Sequence, residues 1–355
     1  MISRRQTRTV SAGNVKIGSG YPVSIQSMTK TDTSDIVATV RQIRGLEDDG
    51  CEIVRVAVKD TGDAKAISQI KQEITIPLVA DIHFDWRLAV EAAKQGADKI
   101  RINPGNISKE EDIARVIDAA SSAGIPIRIG VNSGSLPEDE DASDDLAERM
   151  AASALKYADR FEKKGFKDIV LSLKASEVPA TVRAYRKVAG QCDYPLHLGV
   201  TAAGLPEDGA IKSSIGLGAL LLEGIGDTVR ASLTGDPLLE VETAKRILAS
   251  VGARHFKHEI ISCPTCGRCQ VDLVAIVRAL EEELRKNTPV SPGKKQLVIA
   301  VMGCEVNGPG EAKDADIGIA FGKGKGVIFK RGKVIKTVDA GVAVKELLKM
   351  IQDES

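Results

Sequence analysis

Eight times between residues 23 and 233 the chain repeats one pattern: a short β-branched run ending in polar residues, then an amphipathic stretch closed by glycine. The runs are VSIQSM (23–28), EIVRVAV (52–58), IPLVADI (76–82), KIRINPG (99–105), IPIRIGVN (125–132), DIVLSLKA (168–175), PLHLGVT (195–201) and DTVRASL (227–233). Short, near-continuous apolar runs are expected of parallel strands covered by helices. Between them, Ser34 is predicted to cap a helix whose apolar positions Ile36, Val37, Val40, Ile43 and Leu46 stop at Gly50. Ser108 and Glu111 have the spacing of a capping box ahead of Ile113, Val116 and Ile117. Strict strand–helix alternation over this length predicts an α/β fold, an N-terminal TIM (β/α)8 barrel. An open doubly wound sheet fits less well, because no glycine-rich dinucleotide fingerprint follows the first strand. The leading RTVSAGNVKIGSG predicts a hairpin that could plug the barrel floor.

After DPLLEVETAKRILASVG (236–252), predicted as the eighth helix, the character of the chain changes. An amphipathic helix is expected at about 270–286, then a linker at TPVSPGKK, strands at LVIAVMG, DIGIAFG, GVIFKRG and KVIKTVD, and a last helix, VAVKELLKMIQ. Arg331-Gly332 has the chemistry of a tight hairpin turn. This predicts two domains, a barrel over 1–254 and a smaller α+β domain over 255–355.

Lys plus Arg and Asp plus Glu both number 49, so no overall positive charge points to a nucleic acid or an anionic membrane surface. Any anion site must therefore be local. The longest apolar stretches, such as GALLLEGIG (218–226), fall well short of the roughly 20 residues that span a bilayer. Arg4, Arg5 and Arg8 have no apolar run behind them and do not form a secretory signal. A cytoplasmic location is expected, where clustered cysteines serve metals or redox chemistry more often than disulfides.

In a barrel of this type the C-terminal strand ends build the active site. Those ends carry Gln26 and Met28, Arg55, Asp81 with His83, Arg101 with Asn103, Arg128 with Asn132, Ser172 with Lys174, His197 with Thr201, and Arg230 with Ser232. One such arginine is often the solvated partner of a nearby carboxylate. Four arginines and a lysine at equivalent positions suggest a phosphate or diphosphate ligand, since guanidinium forks match phosphate oxygens two at a time. Asp81 and His83 stand where an acid or base is useful, although an Asp-x-His pair is as often structural.

The chain has six cysteines, and three of them fall in CPTCGRC (263–269). Cys51 and Cys192 lie in or beside strands and are expected to be inert. Cys263, Cys266 and, in GCEVNGPGE (303–311), Cys304 have spacing that can hold a tetrahedral zinc or a [4Fe–4S] cluster. Spacing nominates Cys269 as a fourth ligand. Glu311 is its rival, because the glycines and Pro309 form a turn that could return a carboxylate toward Cys304. A carboxylate is released more readily than a thiolate and would open an iron to substrate.

Taken together, QSMTKTDT (26–33), GIGDTVRASLTGDP (224–237), CPTCGR (263–268) and GCEVNGPGE (303–311) closely resemble the two-domain bacterial 4-hydroxy-3-methylbut-2-enyl diphosphate synthases. The resemblance spans essentially the whole chain. It implies a barrel that binds 2-C-methyl-D-erythritol 2,4-cyclodiphosphate and a C-terminal domain of sulfite-reductase type with a [4Fe–4S] cluster. The ligands it implies are Cys263, Cys266, Cys304 and Glu311, and Cys269 becomes a bystander. The implied reaction is a two-electron reduction that opens the ring and removes a hydroxyl, in the non-mevalonate isoprenoid pathway. The expected substrate-binding residues are Arg55, Arg101, Arg128, Asn132, Lys174 and Ser232, with Glu311, Asp81 and His83 in catalytic roles. A flavodoxin or ferredoxin donor and a homodimer are implied as well.

One departure bears on the chemistry. The family pattern after the seventh strand is T-E-A-G, and here it is Thr201-Ala202-Ala203-Gly204. Alanine transfers no proton, so Asp81 or His83 is expected to substitute, or activity to be impaired. Two other readings compete: a zinc-stapled phosphate-binding barrel without redox activity, and a barrel aldolase with Lys174 as Schiff base, which leaves GCEVNGPGE unexplained.

Overall fold

The structure, a computed structural model, describes residues 2–136, 143–287, 296–304, 306 and 312–354. The chain divides into two compact units, residues 1–254 and 255–355.

In the first unit, apolar runs become the parallel strands β3 (Ser24–Met28), β4 (Ile53–Val58), β5 (Leu78–Ile82), β6 (Lys99–Ile102), β7 (Ile127–Asn132), β8 (Ile169–Lys174), β9 (His197–Leu198) and β10 (Thr228–Val229). They stand side by side in chain order, and β10 returns to pair with β3. The bridge between Leu171 and Leu196 closes the ring between β8 and β9, supported by the Leu171 N–H to the Pro195 carbonyl at 3.0 Å. Helices α1 (Ile36–Asp48), α2 (Thr61–Glu73), α3 (Trp86–Lys94), α4 (Glu110–Ala123), α5 (Leu146–Lys163), α6 (Val178–Ala189), α7 (Pro206–Leu222) and α8 (Leu238–Ser250) follow the strands one by one. β9 and β10 keep only two ladder residues each, fewer than their sequence runs suggest. Gly199 follows β9 directly, and glycine weakens a strand.

β1 (Val10–Ala12) and β2 (Val15–Ile17) form the antiparallel hairpin expected ahead of the barrel. Val10, Ala12 and Ile17 pack with Ile53, Val79 and Val170, which lie at the N-terminal ends of β4, β5 and β8. The hairpin therefore seals the floor, and the opposite rim is left for a ligand.

Two predicted caps are corrected. Asp35, not Ser34, caps α1 and accepts from the Ala38 N–H at 3.0 Å, while the Ser34 hydroxyl turns to Asp32. The capping box at Ser108 and Glu111 does not form: α4 starts at Glu110 behind Lys109, which makes no side-chain cap bond. Arg160 holds the Ser108 carbonyl and the Glu110 carboxylate, each at 2.5 Å, and this shifts the helix start. Glu110, Glu111 and Asp112 in the first turn supply negative charge where the helix dipole favours it.

The second unit is a five-stranded sheet, β11 (Glu259–Ser262), β12 (Val298–Met302), β13 (Ile317–Gly322), β14 (Lys325–Lys330) and β15 (Lys333–Asp339), in chain order. The first three are parallel and the last two join as antiparallel hairpins. Lys323-Gly324 and Arg331-Gly332 have positive φ at both positions, the type I′ geometry that matches strand twist. Helices α9 (Leu273–Asn287) and α10 (Ala343–Glu354) contribute Leu273, Leu280, Leu347 and Ile351 to a core shared with Ile299, Ile319 and Phe321. β11, the four residues EIIS just ahead of the cysteine segment, is an addition to the strands that the sequence predicts. The linker TPVSPGKK lies outside the described residues.

Candidate active site

Period-two alternation along a strand sends every second side chain into the barrel. On β4 to β8 this brings Arg55, Asp81, Arg101, Arg128, Ser172 and Lys174 to one cavity of about 110 Å³, with His83, Asn132, Thr201, Arg230 and Ser232 completing its wall. All eight barrel residues expected in catalytic or substrate-binding roles, Arg55, Asp81, His83, Arg101, Arg128, Asn132, Lys174 and Ser232, line this one cavity. Asn103 instead donates to the Ser135 hydroxyl at 2.7 Å. Gln26 is buried, and neither amide atom has a partner among the described residues.

The cavity is held by a few strong contacts. Arg101 donates to Asp81 Oδ1 at 2.9 Å and to the Gly130 carbonyl at 3.2 Å. Arg55 and His83 lie 3.7 and 3.4 Å from Asp81 Oδ2. Burial alone would raise the Asp81 pKa, but Arg55, the His83 hydrogen bond, Arg101 and Arg128 hold it well below the usual carboxylate range. Asp81 is thus an ionised anchor. Arg230 forks onto Glu240 of α8 at 2.9 and 2.8 Å, and Lys30 and Ser27 bind the same carboxylate at 3.0 and 2.9 Å.

The other cations are less well matched. Arg128 is 1% exposed, and its Nε and Nη1 have no hydrogen-bond partner among the described residues. Arg55 contacts the Met28 sulfur, a weak acceptor, at 3.0 and 2.9 Å. Burial pushes its pKa down to about 10 despite Asp81. Lys174 meets His197 Nε2 at 3.2 Å. Lys99, two residues before Arg101 and on the same strand face, is fully buried, and its Nζ has no partner among the described residues. Burial first, then neighbouring cations, lowers the pKa values of Arg128, Lys99 and Lys174 well below their usual range. Isolated buried charge is costly, and orphaned donors are rare. A site with this surplus is prepared for an anion.

Two residues of this site escaped sequence reasoning. Lys99 was signalled by the K-x-R alternation of KIRI, but it sits a layer below the strand end. Glu240 gave no signal, since it reaches Arg230 from the first turn of a helix. Two glycines make room for the cations: a Cβ on Gly130 would lie 2.6 Å from Arg101 Nε, and one on Gly199 would lie 2.4 Å from Lys174 Nζ. Ala202 is exposed just beyond the rim with φ of 49°, in the left-handed region uncommon for a residue with a side chain.

In the second unit Cys263 follows β11 and Cys304 follows the adjacent β12, so both stand at the same end of the sheet. The Gly303 N–H points at Cys263 Sγ at 3.3 Å, and the Cys269 N–H binds the Cys266 carbonyl at 2.9 Å. The Gln270 N–H binds the Gly303 carbonyl at 3.0 Å, which stitches the CPTCGRC loop to the Cys304 segment. Thr265 turns the loop with φ of 51°. Cys266 is exposed and Cys304 buried, whereas Cys269 packs under Gly303 and donates to the Val271 carbonyl at 3.3 Å. Among the described residues no three potential ligands already converge on one point, and Glu311 lies outside those residues. The donor set suits a thiophilic centre: three thiols on two linked strand ends, with a backbone N–H directed at one sulfur.

Comparison with known proteins bears on both units. The GcpE TIM-barrel domain matches residues 7–245, and the GcpE protein C-terminal domain matches residues 259–353. A protein of Caldanaerobacter subterraneus subsp. tengcongensis is 53% identical over 351 residues, covering 98% of this chain and 97% of its own length. One from Thermodesulfovibrio yellowstonii is 52% identical over 354 residues, covering 99% and 100%. Both are named 4-hydroxy-3-methylbut-2-en-1-yl diphosphate synthase (flavodoxin). The dihydropteroate synthase of Stenotrophomonas maltophilia, at 13% identity and a TM-score of 0.52, covers 69% of this chain and 98% of its own, a likeness of barrel fold alone. With two domain descriptions and full-length relatives in agreement, the chain belongs to the GcpE family of 4-hydroxy-3-methylbut-2-en-1-yl diphosphate synthases.

Proposed function

We propose that this protein reduces 2-C-methyl-D-erythritol 2,4-cyclodiphosphate to 4-hydroxy-3-methylbut-2-enyl diphosphate, a step of isoprenoid biosynthesis, with flavodoxin or ferredoxin as electron donor. Two electrons enter, the ring opens to leave a terminal phosphate, and one hydroxyl departs with a proton as water. The observation that carries this reading is the cationic surplus of the barrel cavity, in a chain whose full-length relatives bear that enzyme name.

Arg128, with unpartnered donors, and Arg55, held only by a thioether and a distant carboxylate, are free to bind diphosphate oxygens. Arg101 and Lys174 extend the cradle, and Asn132 and Ser232 offer neutral hydrogen bonds. Asp81 orients Arg101 and Arg55 and, being ionised, gives no proton near neutrality. His83, half-exposed on the cavity wall, is the group positioned to exchange one, because Ala202 carries none. Cys263, Cys266, Cys304 and Glu311 would hold a [4Fe–4S] cluster. When bound, such a cluster supplies electrons singly and a Lewis-acidic iron. A cytoplasmic homodimer is our reading, on the family resemblance and the cysteine usage.

Iron, sulfide and zinc content of anaerobically purified protein, with turnover of the cyclic diphosphate under a chemical reductant, tests the proposal. About four irons per chain with turnover is expected. Zinc without iron would overturn the mechanism.

A further inference from the structure

Lys174 stands in a crowd of like charge. Arg55 on β4, Arg101 on β6, Arg128 on β7 and Arg230 just after β10 surround it, with Lys99 of β6 near its partner His197, against Asp81 on β5 and Glu240 on α8; His83 adds a titratable group on the wall. Both carboxylates are committed elsewhere, Asp81 to Arg101 at 2.9 Å and Glu240 to Arg230 at 2.8 Å. The contact of Lys174 is with an imidazole instead, Nζ to His197 Nε2 at 3.2 Å. His197 is fully buried, and its Nδ1 has no partner among the described residues. Burial first, and then the nearby guanidinium groups of Arg128 and Arg55, keep it well below the usual histidine range, so it is neutral. With its hydrogen on Nδ1, the Nε2 lone pair faces Lys174. The absence of a Cβ at Gly199 leaves the space in which that lysine head sits.

We propose that Lys174 and His197 form a proton-loading pair: Lys174 is a neutral amine in the empty cavity and takes one proton from solvent when a diphosphate binds, its ammonium then donating to the ligand and to His197 Nε2. The inference rests on the assignment of the cavity to a diphosphate. Burial, then Arg128, Arg230, Arg55 and Arg101, disfavours the charged lysine. A dianion among those four arginines offsets their repulsion and restores the ordinary preference for the ammonium. Uptake is therefore greatest between the depressed value of the empty site and the higher value of the filled one, and it vanishes at lower pH, where Lys174 is already charged. Ring opening converts a phosphate with one ionised oxygen into a terminal phosphate with two. An ammonium loaded before the chemistry is in place to stabilise the added charge.

Titration calorimetry of the full chain, anaerobic and without reductant, in buffers of different ionisation enthalpy counts the protons taken up per ligand. The probe is 2-C-methyl-D-erythritol 2,4-cyclodiphosphate. Each of its phosphorus atoms carries one strongly acidic oxygen, so the ligand binds no proton near neutrality and the count belongs to the protein. For the wild type, uptake should rise from near zero toward one proton as the pH is raised through the depressed value of Lys174 in the free protein. Lys174→Arg, always charged, should bind without uptake, and Lys174→Met should bind more weakly, also without uptake. His197→Leu, which removes the acceptor, should move the rise to lower pH, while His197→Gln, which keeps one, should leave it near the wild-type position. Binding without uptake in the wild type at every pH overturns the pair and leaves the diphosphate assignment standing. Uptake that persists in Lys174→Arg overturns it too and moves the proton to another group such as Lys99. A wild type that does not bind the ligand removes the cavity assignment and the pair together.

Discussion

A buried guanidinium with two unpartnered nitrogens is costly unless something arrives to pair it, and Arg128 is in that condition. Arg128→Ala is expected to weaken binding of the cyclic diphosphate by about 1.5 to 3 kcal/mol, the range for a charged hydrogen bond. Calorimetry reads this directly, and unchanged affinity would refute the role. Asp81 is the opposite case, a buried carboxylate fully engaged by Arg101, Arg55 and His83. Its folded pKa is depressed, so its stabilisation is present above the unfolded value of about 3.9 and is lost as pH falls through the folded value. Asp81→Asn should cost about 3 to 5 kcal/mol near neutrality, as for one partner of a buried ion pair. The gap to wild type in denaturant unfolding should narrow toward acid pH. A gap that does not change with pH would mean that Asp81 acts through packing alone.

At the scale of elements, the rim depends on where strands lack side chains as much as on where they carry charge. Gly130 on β7 faces Arg101, and a Cβ there would meet its Nε at 2.6 Å and its Nη2 at 3.1 Å. Gly130→Ala should push Arg101 off Asp81 and weaken ligand binding while far-UV circular dichroism stays that of a folded barrel. Affinity equal to wild type would show that the arginine yields without consequence. The same scale shows what periodicity could and could not deliver. Alternation along β4 to β8 placed Arg55, Asp81, Arg101, Arg128 and Lys174 on one face in advance, because a two-residue repeat is fixed by strand geometry. It did not locate the caps of α1 and α4, since the choice between neighbouring cap residues was made by Asp35 and by Arg160, fifty positions away from Glu110.

For the whole molecule, an even balance of 49 basic and 49 acidic residues conceals a local excess inside the barrel. Net charge sets long-range behaviour, whereas the affinity of a cavity is set by the groups that line it. The second unit poses the metal question. Cys269 is tucked beneath Gly303 and occupied with the Val271 carbonyl. If Glu311 is the fourth ligand of the proposed cluster, Glu311→Ala should lose or destabilise that cluster while Cys269→Ser retains it, with iron content and visible absorption as readouts. The reverse result would make Cys269 the fourth ligand.

The eightfold repeat, the hairpin before it, the tight turn at Arg331-Gly332 and the set of rim cations were written in the sequence. Each depends on local periodicity, on turn chemistry or on a motif, and these act over a few residues. What only tertiary structure decided was pairing. Glu240 reaches Arg230 from the first turn of α8, Asp81 becomes an ionised anchor among arginines from three strands, and Lys99 is buried a layer beneath the rim. Lys174 meets His197 rather than a carboxylate. Such contacts join residues far apart in the chain, and their protonation states follow from burial and from the summed field of neighbours, which no single stretch of sequence contains.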